Sequence, residues 1–112
     1  MDDHETREEI RIALSKTVES HFGVNHCLCH GDLGNVDILL LAAQRVDDSW
    51  WSEAGKRLAS ETLATIAARG CLTSLASPGL MVGLAGIGYG LLRLACPERV
   101  PSVLVLAPPA QV

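Results

Sequence analysis

The sequence predicts an all-α fold of two helical hairpins, each pairing an outer amphipathic helix with an inner apolar one. Three observations carry that reading. The opening segment alternates charged residues with apolar ones at i, i+3 and i+4 spacing, the stripe of a half-buried helix. The run from Val36 to Ala43 is apolar almost all round, which describes a helix enclosed by others. Finally, shifting the chain by 52 residues superposes Gly31-Asp32-Leu33-Gly34 on Gly83-Leu84-Ala85-Gly86, then Leu39 on Leu91, Leu40 on Leu92 and Ala43 on Ala95. Each unit therefore reads as outer helix, loop, G-x-x-G, inner helix. Repeats of this kind cover each other's apolar faces and two copies rarely close a core, so the chain reads as a piece of something larger.

The first helix is expected from about Thr6 to His21, with Ile10, Ala13, Leu14 and Val18 as its apolar stripe and Phe22-Gly23 as its end. A loop from Val24 to Gly31 holds two cysteines and two histidines. The first inner helix is expected to begin near Val36, with Asp32 and Asn35 as cap-type side chains. Asp47, Asp48 and Ser49 supply the next cap ahead of Trp50, and a third helix runs to Arg69 on Leu58, Leu63, Ala64, Ile66 and Ala67, stopped by Gly70. Trp50 and Trp51 either anchor a neighbouring repeat or staple that turn. Pro78-Gly79 leads into a last, buried helix from about Ala85 to Ala95, which Pro97 ends. Tyr89 reads as a core residue with a satisfied hydroxyl, and His4 and His21 as members of a solvated face. The pairs Gly79/Gly83 and Gly86/Gly90 have G-x-x-x-G spacing and favour close helix packing over a membrane dimer. Val103–Leu106 reads as a short strand or an extended packing arm.

Composition removes several classes of function. At 112 residues, 48% hydrophobic and 20% charged, the chain suits one packed unit, not a disordered tail. Residues 1–56 carry 11 acids against 5 bases and residues 57–112 carry 2 against 4, with no basic cluster of the kind a nucleic acid needs. The acidic start, Met1-Asp2-Asp3-His4-Glu5, lacks the basic and apolar pattern of an export signal, so a cytoplasmic location is expected. There Cys27, Cys29, Cys71 and Cys96 suit burial or metal binding better than disulfides. The uncharged stretch from Gly70 to Leu92 is broken by Ser, Thr and Pro, and no membrane span is expected from it. Neither a phosphate loop nor a dinucleotide fingerprint is present.

The two repeats differ where Cys29-His30 aligns with Met81-Val82. An adjacent thiol and imidazole at the mouth of an inner helix suit one borderline-soft cation such as zinc, although such a pair also arises as a buried thiol beside a surface imidazole. Two longer blocks sharpen this: Leu28-Cys29-His30-Gly31-Asp32-Leu33-Gly34-Asn35, and the segment from Pro78-Gly79-Leu80-Met81-Val82-Gly83 to Arg93-Leu94-Ala95, followed by the tail Val100-Pro101-Ser102-Val103-Leu104. Together, over roughly residues 5–109, they closely resemble the C-terminal end of lanthionine synthetase C-like cyclase domains. The likeness is strongest to the class II lanthipeptide synthetases of the LanM type.

That resemblance implies a partial α/α toroid of alternating outer and inner helices, residues 1–112 forming the C-terminal part of the domain. It implies a zinc ion held by Cys29 and His30 together with a further cysteine from an earlier Gly-rich loop. It also implies a dehydrated precursor peptide as substrate, whose cysteine thiols add to dehydroalanine or dehydrobutyrine to close thioether rings. The family's earlier cysteine, its His and Asp assisting proton transfer, and its dehydratase domain have no counterpart here. The implied partners are therefore the remainder of the synthetase or another copy of the chain, and the isolated chain is expected to be inactive. Cys27 is a candidate replacement ligand, lying on the same side of an extended loop as Cys29, but the family pattern does not use that position. A second reading keeps the helices and discards the chemistry: an interaction module with uncovered repeat faces and an idle or structural Cys-His pair.

Overall fold

A computed structural model describes residues 3–20, 22–46, 48–73 and 77–109. Four helices follow one another: α1 (His4–Val18), α2 (Asp32–Arg45), α3 (Ser49–Arg69) and α4 (Leu84–Ala95), and no strand occurs among the described residues. The all-α expectation holds. Asp3 caps α1 by accepting the Thr6 N–H at 2.7 Å, and Asp48 caps α3 by accepting the Trp50 N–H at 2.9 Å. Gly70, at φ +77°, ends α3 as expected. His21 and Asp47 lie outside the described residues.

α2 forms the centre. It packs against α1, α3 and α4, and no residue from Gly31 to Ala43 is exposed. Two buried clusters flank it: Leu14, Val36, Leu39, Ala42, Trp51 and Leu58 on one side, and Leu28, Leu33 and Ile87 on the other. Trp51 is thus a core residue, while Trp50 stays half exposed and meets it edge to face at 4.4 Å. Gly90 lies where a Cβ would press 3.0 Å from the Leu33 side chain, so the small residue lets α4 approach α2.

Three expectations are corrected. α2 begins at Asp32, four residues before Val36; its N-cap is Gly31, with no side-chain cap, and Asp32 instead turns back to the preceding loop. α4 is not buried all round, because α2 covers only one side of it and Leu84, Ala85, Gly88, Leu92 and Ala95 remain exposed. Val103–Leu106 is a turn, neither a strand nor an extended arm: Leu106 donates its N–H to the Val103 carbonyl, and Leu106 itself adopts φ +51°. The tail is pinned nonetheless. Tyr89 donates its hydroxyl to the Pro101 carbonyl at 2.6 Å, and Val103 and Leu104 pack on the second cluster.

Candidate metal centre

Cys29 and His30 occupy a turn immediately ahead of Gly31 and α2. The loop that builds this turn is held by backbone-directed bonds. Asn25 accepts the Cys27 N–H on its Oδ1 at 2.8 Å and the Asp32 N–H on its carbonyl at 2.8 Å. A Cβ on Gly31 would stand 2.5 Å from the Cys27 nitrogen and 2.6 Å from the Asn25 carbonyl oxygen, so the turn closes only on glycine.

The same construction recurs 52 residues later. Ser77 accepts the Gly79 N–H on Oγ at 3.1 Å and the Leu84 N–H on its carbonyl at 2.9 Å, and a Cβ on Gly83 would stand 2.6 Å from the Gly79 nitrogen. The internal sequence similarity is therefore a structural repeat. The two turns also touch, since the Cys29 N–H donates to the Met81 carbonyl at 2.9 Å. Only the first turn carries donor side chains where the second has Met81 and Val82.

Both Cys29 and His30 are exposed, whereas Cys27 is fully buried. Cys27 Sγ lies 3.7 Å from His30 Nδ1, and Asn25 Nδ2 lies 3.4 Å from His30 Nε2. All four cysteines are free thiols. Among the described residues, no group of three or more His, Cys, Asp or Glu converges as a cation site. The pair still fits zinc as part of a ligand set. A thiol and an imidazole are ordinary zinc donors, both are accessible, and they stand on a turn stiffened by glycine closure and by α2. A catalytic zinc takes three protein ligands and keeps one position open, so two donors make an incomplete centre.

Behind the turn lies a polar pair that composition did not reveal. His26 and Asp32 are both buried, and the His26 Nε2 to Asp32 Oδ2 distance is 3.7 Å. Leu72 donates its N–H to His26 Nδ1 at 2.9 Å and accepts the His26 backbone N–H at 2.8 Å, tying the Cys29-His30 loop to the chain beyond α3. Asp32 accepts the Gly23 N–H at 2.9 Å. Burial pushes the His26 pKa down, against the opposing pull of Asp32, and pushes the Asp32 pKa up. Asp32 is thus a loop anchor and not a helix cap.

A second buried network fastens the tail. Arg93 donates from Nε to Asp37 Oδ1 at 2.8 Å, and from its guanidinium to the carbonyls of Pro97 and Val100; Ser102 donates to Asp37 Oδ2 at 2.5 Å. Its sequence signal was a lone acid in one inner-helix run and a lone base in the other, since charges are rarely buried without a partner. A cleft of about 880 Å³ between α1 and the adjoining ends of α2 and α3 shares no residue with the Cys29-His30 turn.

Helices gathered around α2, with a glycine-closed turn repeated ahead of α2 and α4 and one copy bearing adjacent thiol and imidazole donors, define an all-α repeat protein with a candidate metal turn. The chain belongs to the lanthionine synthetase C-like family: the family model described as lanthionine synthetase C-like protein matches residues 1–105. Neither the curated proteins nor the solved structures yield a match.

Proposed function

We propose that this chain is part of a zinc-dependent cyclase that closes thioether rings in dehydrated precursor peptides, with Cys29 and His30 as two of its metal ligands. The observation that carries the reading is the placement of both residues, exposed and adjacent, on the glycine-closed turn at the start of the central helix of a chain in this family. A zinc ion held there would act as a Lewis acid that keeps a peptide cysteine deprotonated, ready to add to the β-carbon of a dehydroamino acid. The chain's own contribution is positional. Gly31 closes the turn, α2 supports it from one side, and the second repeat holds the Cys29 backbone through Met81. The remainder of the cyclase, or a second copy of the chain, supplies the missing donor and covers the exposed apolar side of α4.

The test is a zinc titration of the chain and of its Cys29→Ala and His30→Ala variants. Binding that weakens by at least about tenfold in each variant supports the reading, in line with the loss of a direct ligand outweighing that of an outer partner. Equal binding in all three would favour the second reading, an interaction module, for which the exposed stripe Leu84, Gly88, Leu92 and Ala95 is the specific motive.

A further inference from the structure

The loop around His30 determines which imidazole nitrogen faces a metal. Asn25 Oδ1 is already committed to the Cys27 N–H at 2.8 Å, which fixes the amide orientation and leaves Nδ2, a donor, toward His30. Nδ2 lies 3.4 Å from His30 Nε2, a contact that is favourable only if Nε2 carries a lone pair. A neutral imidazole with a bare Nε2 holds its proton on Nδ1. That nitrogen lies 3.7 Å from Cys27 Sγ, within the reach of an N–H···S contact, and the sulfur is fully buried. The first contact selects this tautomer, and the second is compatible with it, since the sulfur can accept from Nδ1.

We infer that Asn25 and Cys27 are positioning residues that hold His30 in the Nδ1–H tautomer and keep its lone pair on Nε2, where a zinc ion would take the place of the Asn25 amide. This rests on the metal reading above and adds the binding atom and the two residues that select it. Metal-ligating histidines commonly donate their second ring N–H to an outer partner, which fixes ring orientation; here a buried thiol takes that place. The second repeat supports the division of labour. Its turn keeps the Ser77 counterpart of the Asn25 bond while carrying Gly79 and Val82 where Cys27 and His30 stand, so the backbone closes without this side-chain chain of contacts.

The tautomer can be read without metal. Long-range ¹H–¹⁵N correlation spectra of the histidine-labelled full chain, at a pH where the imidazole is neutral, should show His30 with a protonated Nδ1 and a bare Nε2. Asn25→Asp keeps the acceptor for the Cys27 N–H but replaces the facing donor with an oxygen, and should shift His30 toward the Nε2–H form. Cys27→Ala should shift the same equilibrium and weaken zinc binding about 10- to 100-fold, the usual effect of losing an outer partner. Added zinc should move the Nε2 resonance of the parent chain. An Nε2–H tautomer in the parent, or a tautomer unmoved in both variants, would overturn the inference. Zinc moving neither His30 nitrogen would overturn the metal reading and Nε2's role in it, with the tautomer assignment still judged by the metal-free spectra.

Discussion

His26 and Arg93 show how single buried polar residues set the behaviour of this chain. His26 accepts the Leu72 N–H on Nδ1, so a proton arriving there removes an acceptor and places a charge in a buried site. Its folded pKa lies below the ordinary 6.5. Once the pH falls below 6.5 the unfolded chain binds more protons than the folded one, and stability should drop until the lower folded pKa is passed. Asp32 acts with the opposite sign. Its raised pKa makes the folded chain take up a proton before the unfolded one, which recovers part of the loss as the pH falls toward 3.8. Denaturant midpoints measured across this range should therefore fall below 6.5, and His26→Gln should flatten that limb. Removing the Arg93 charge leaves Asp37 buried, with Ser102 still donating to it. Arg93→Met should cost about 3–5 kcal/mol in urea unfolding, the range for breaking a buried ion pair. A loss below about 1 kcal/mol would contradict the network.

At the level of helices and turns, the repeat is a backbone device first and a chemical one second. Gly31 and Gly83 close equivalent turns against equivalent backbone atoms. Gly31→Ala and Gly83→Ala should each destabilise the chain by roughly 2 kcal/mol or more, since backbone and not a flexible side chain must yield. The first substitution should weaken zinc binding more than the second, which reaches Cys29 only through the Met81 carbonyl, a comparison read from unfolding curves beside metal titrations. Much of this level was legible in sequence. The 3.6-residue stripes gave the helices, Asp48 and Gly70 marked both ends of α3, and the 52-residue shift revealed the paired turns. The start of α2 was misread because Asp32, a good capping residue by type, faces the loop and accepts from Gly23, leaving the cap position to Gly31. The Val103–Leu106 run was misread because Val103 and Leu104 pack on the Leu28, Leu33 and Ile87 cluster from a turn while Val105 and Leu106 stay exposed, with no strand among the described residues to pair with. The partners of His26 and Asp37 were illegible as contacts, separated by 46 residues to Leu72 and 56 to Arg93. Local spacing does not encode such distances.

For the molecule as a whole, the described helices form a slab of 42 × 35 × 20 Å, about two helix diameters thick. Among the described helices only α2 is enclosed, while α1 and α4 leave apolar residues such as Ile10, Leu84 and Leu92 exposed. No helix among the described residues is long and apolar enough to cross a membrane. These faces match the expectation from two stacked repeats, which need neighbours to bury what they expose. On the proposed reading, which gives the chain two donors instead of three, the isolated chain incubated with a dehydrated precursor peptide should leave every cysteine thiol open to alkylation. Loss of free thiols together with thioether rings from the chain alone would show a complete centre. The most direct measurement is X-ray absorption at the zinc edge of the zinc-loaded chain and its Cys29→Ala and His30→Ala variants. A mixed sulfur and nitrogen shell should appear, losing sulfur in the first variant and nitrogen in the second. A shell unchanged by either substitution would contradict joint binding by Cys29 and His30.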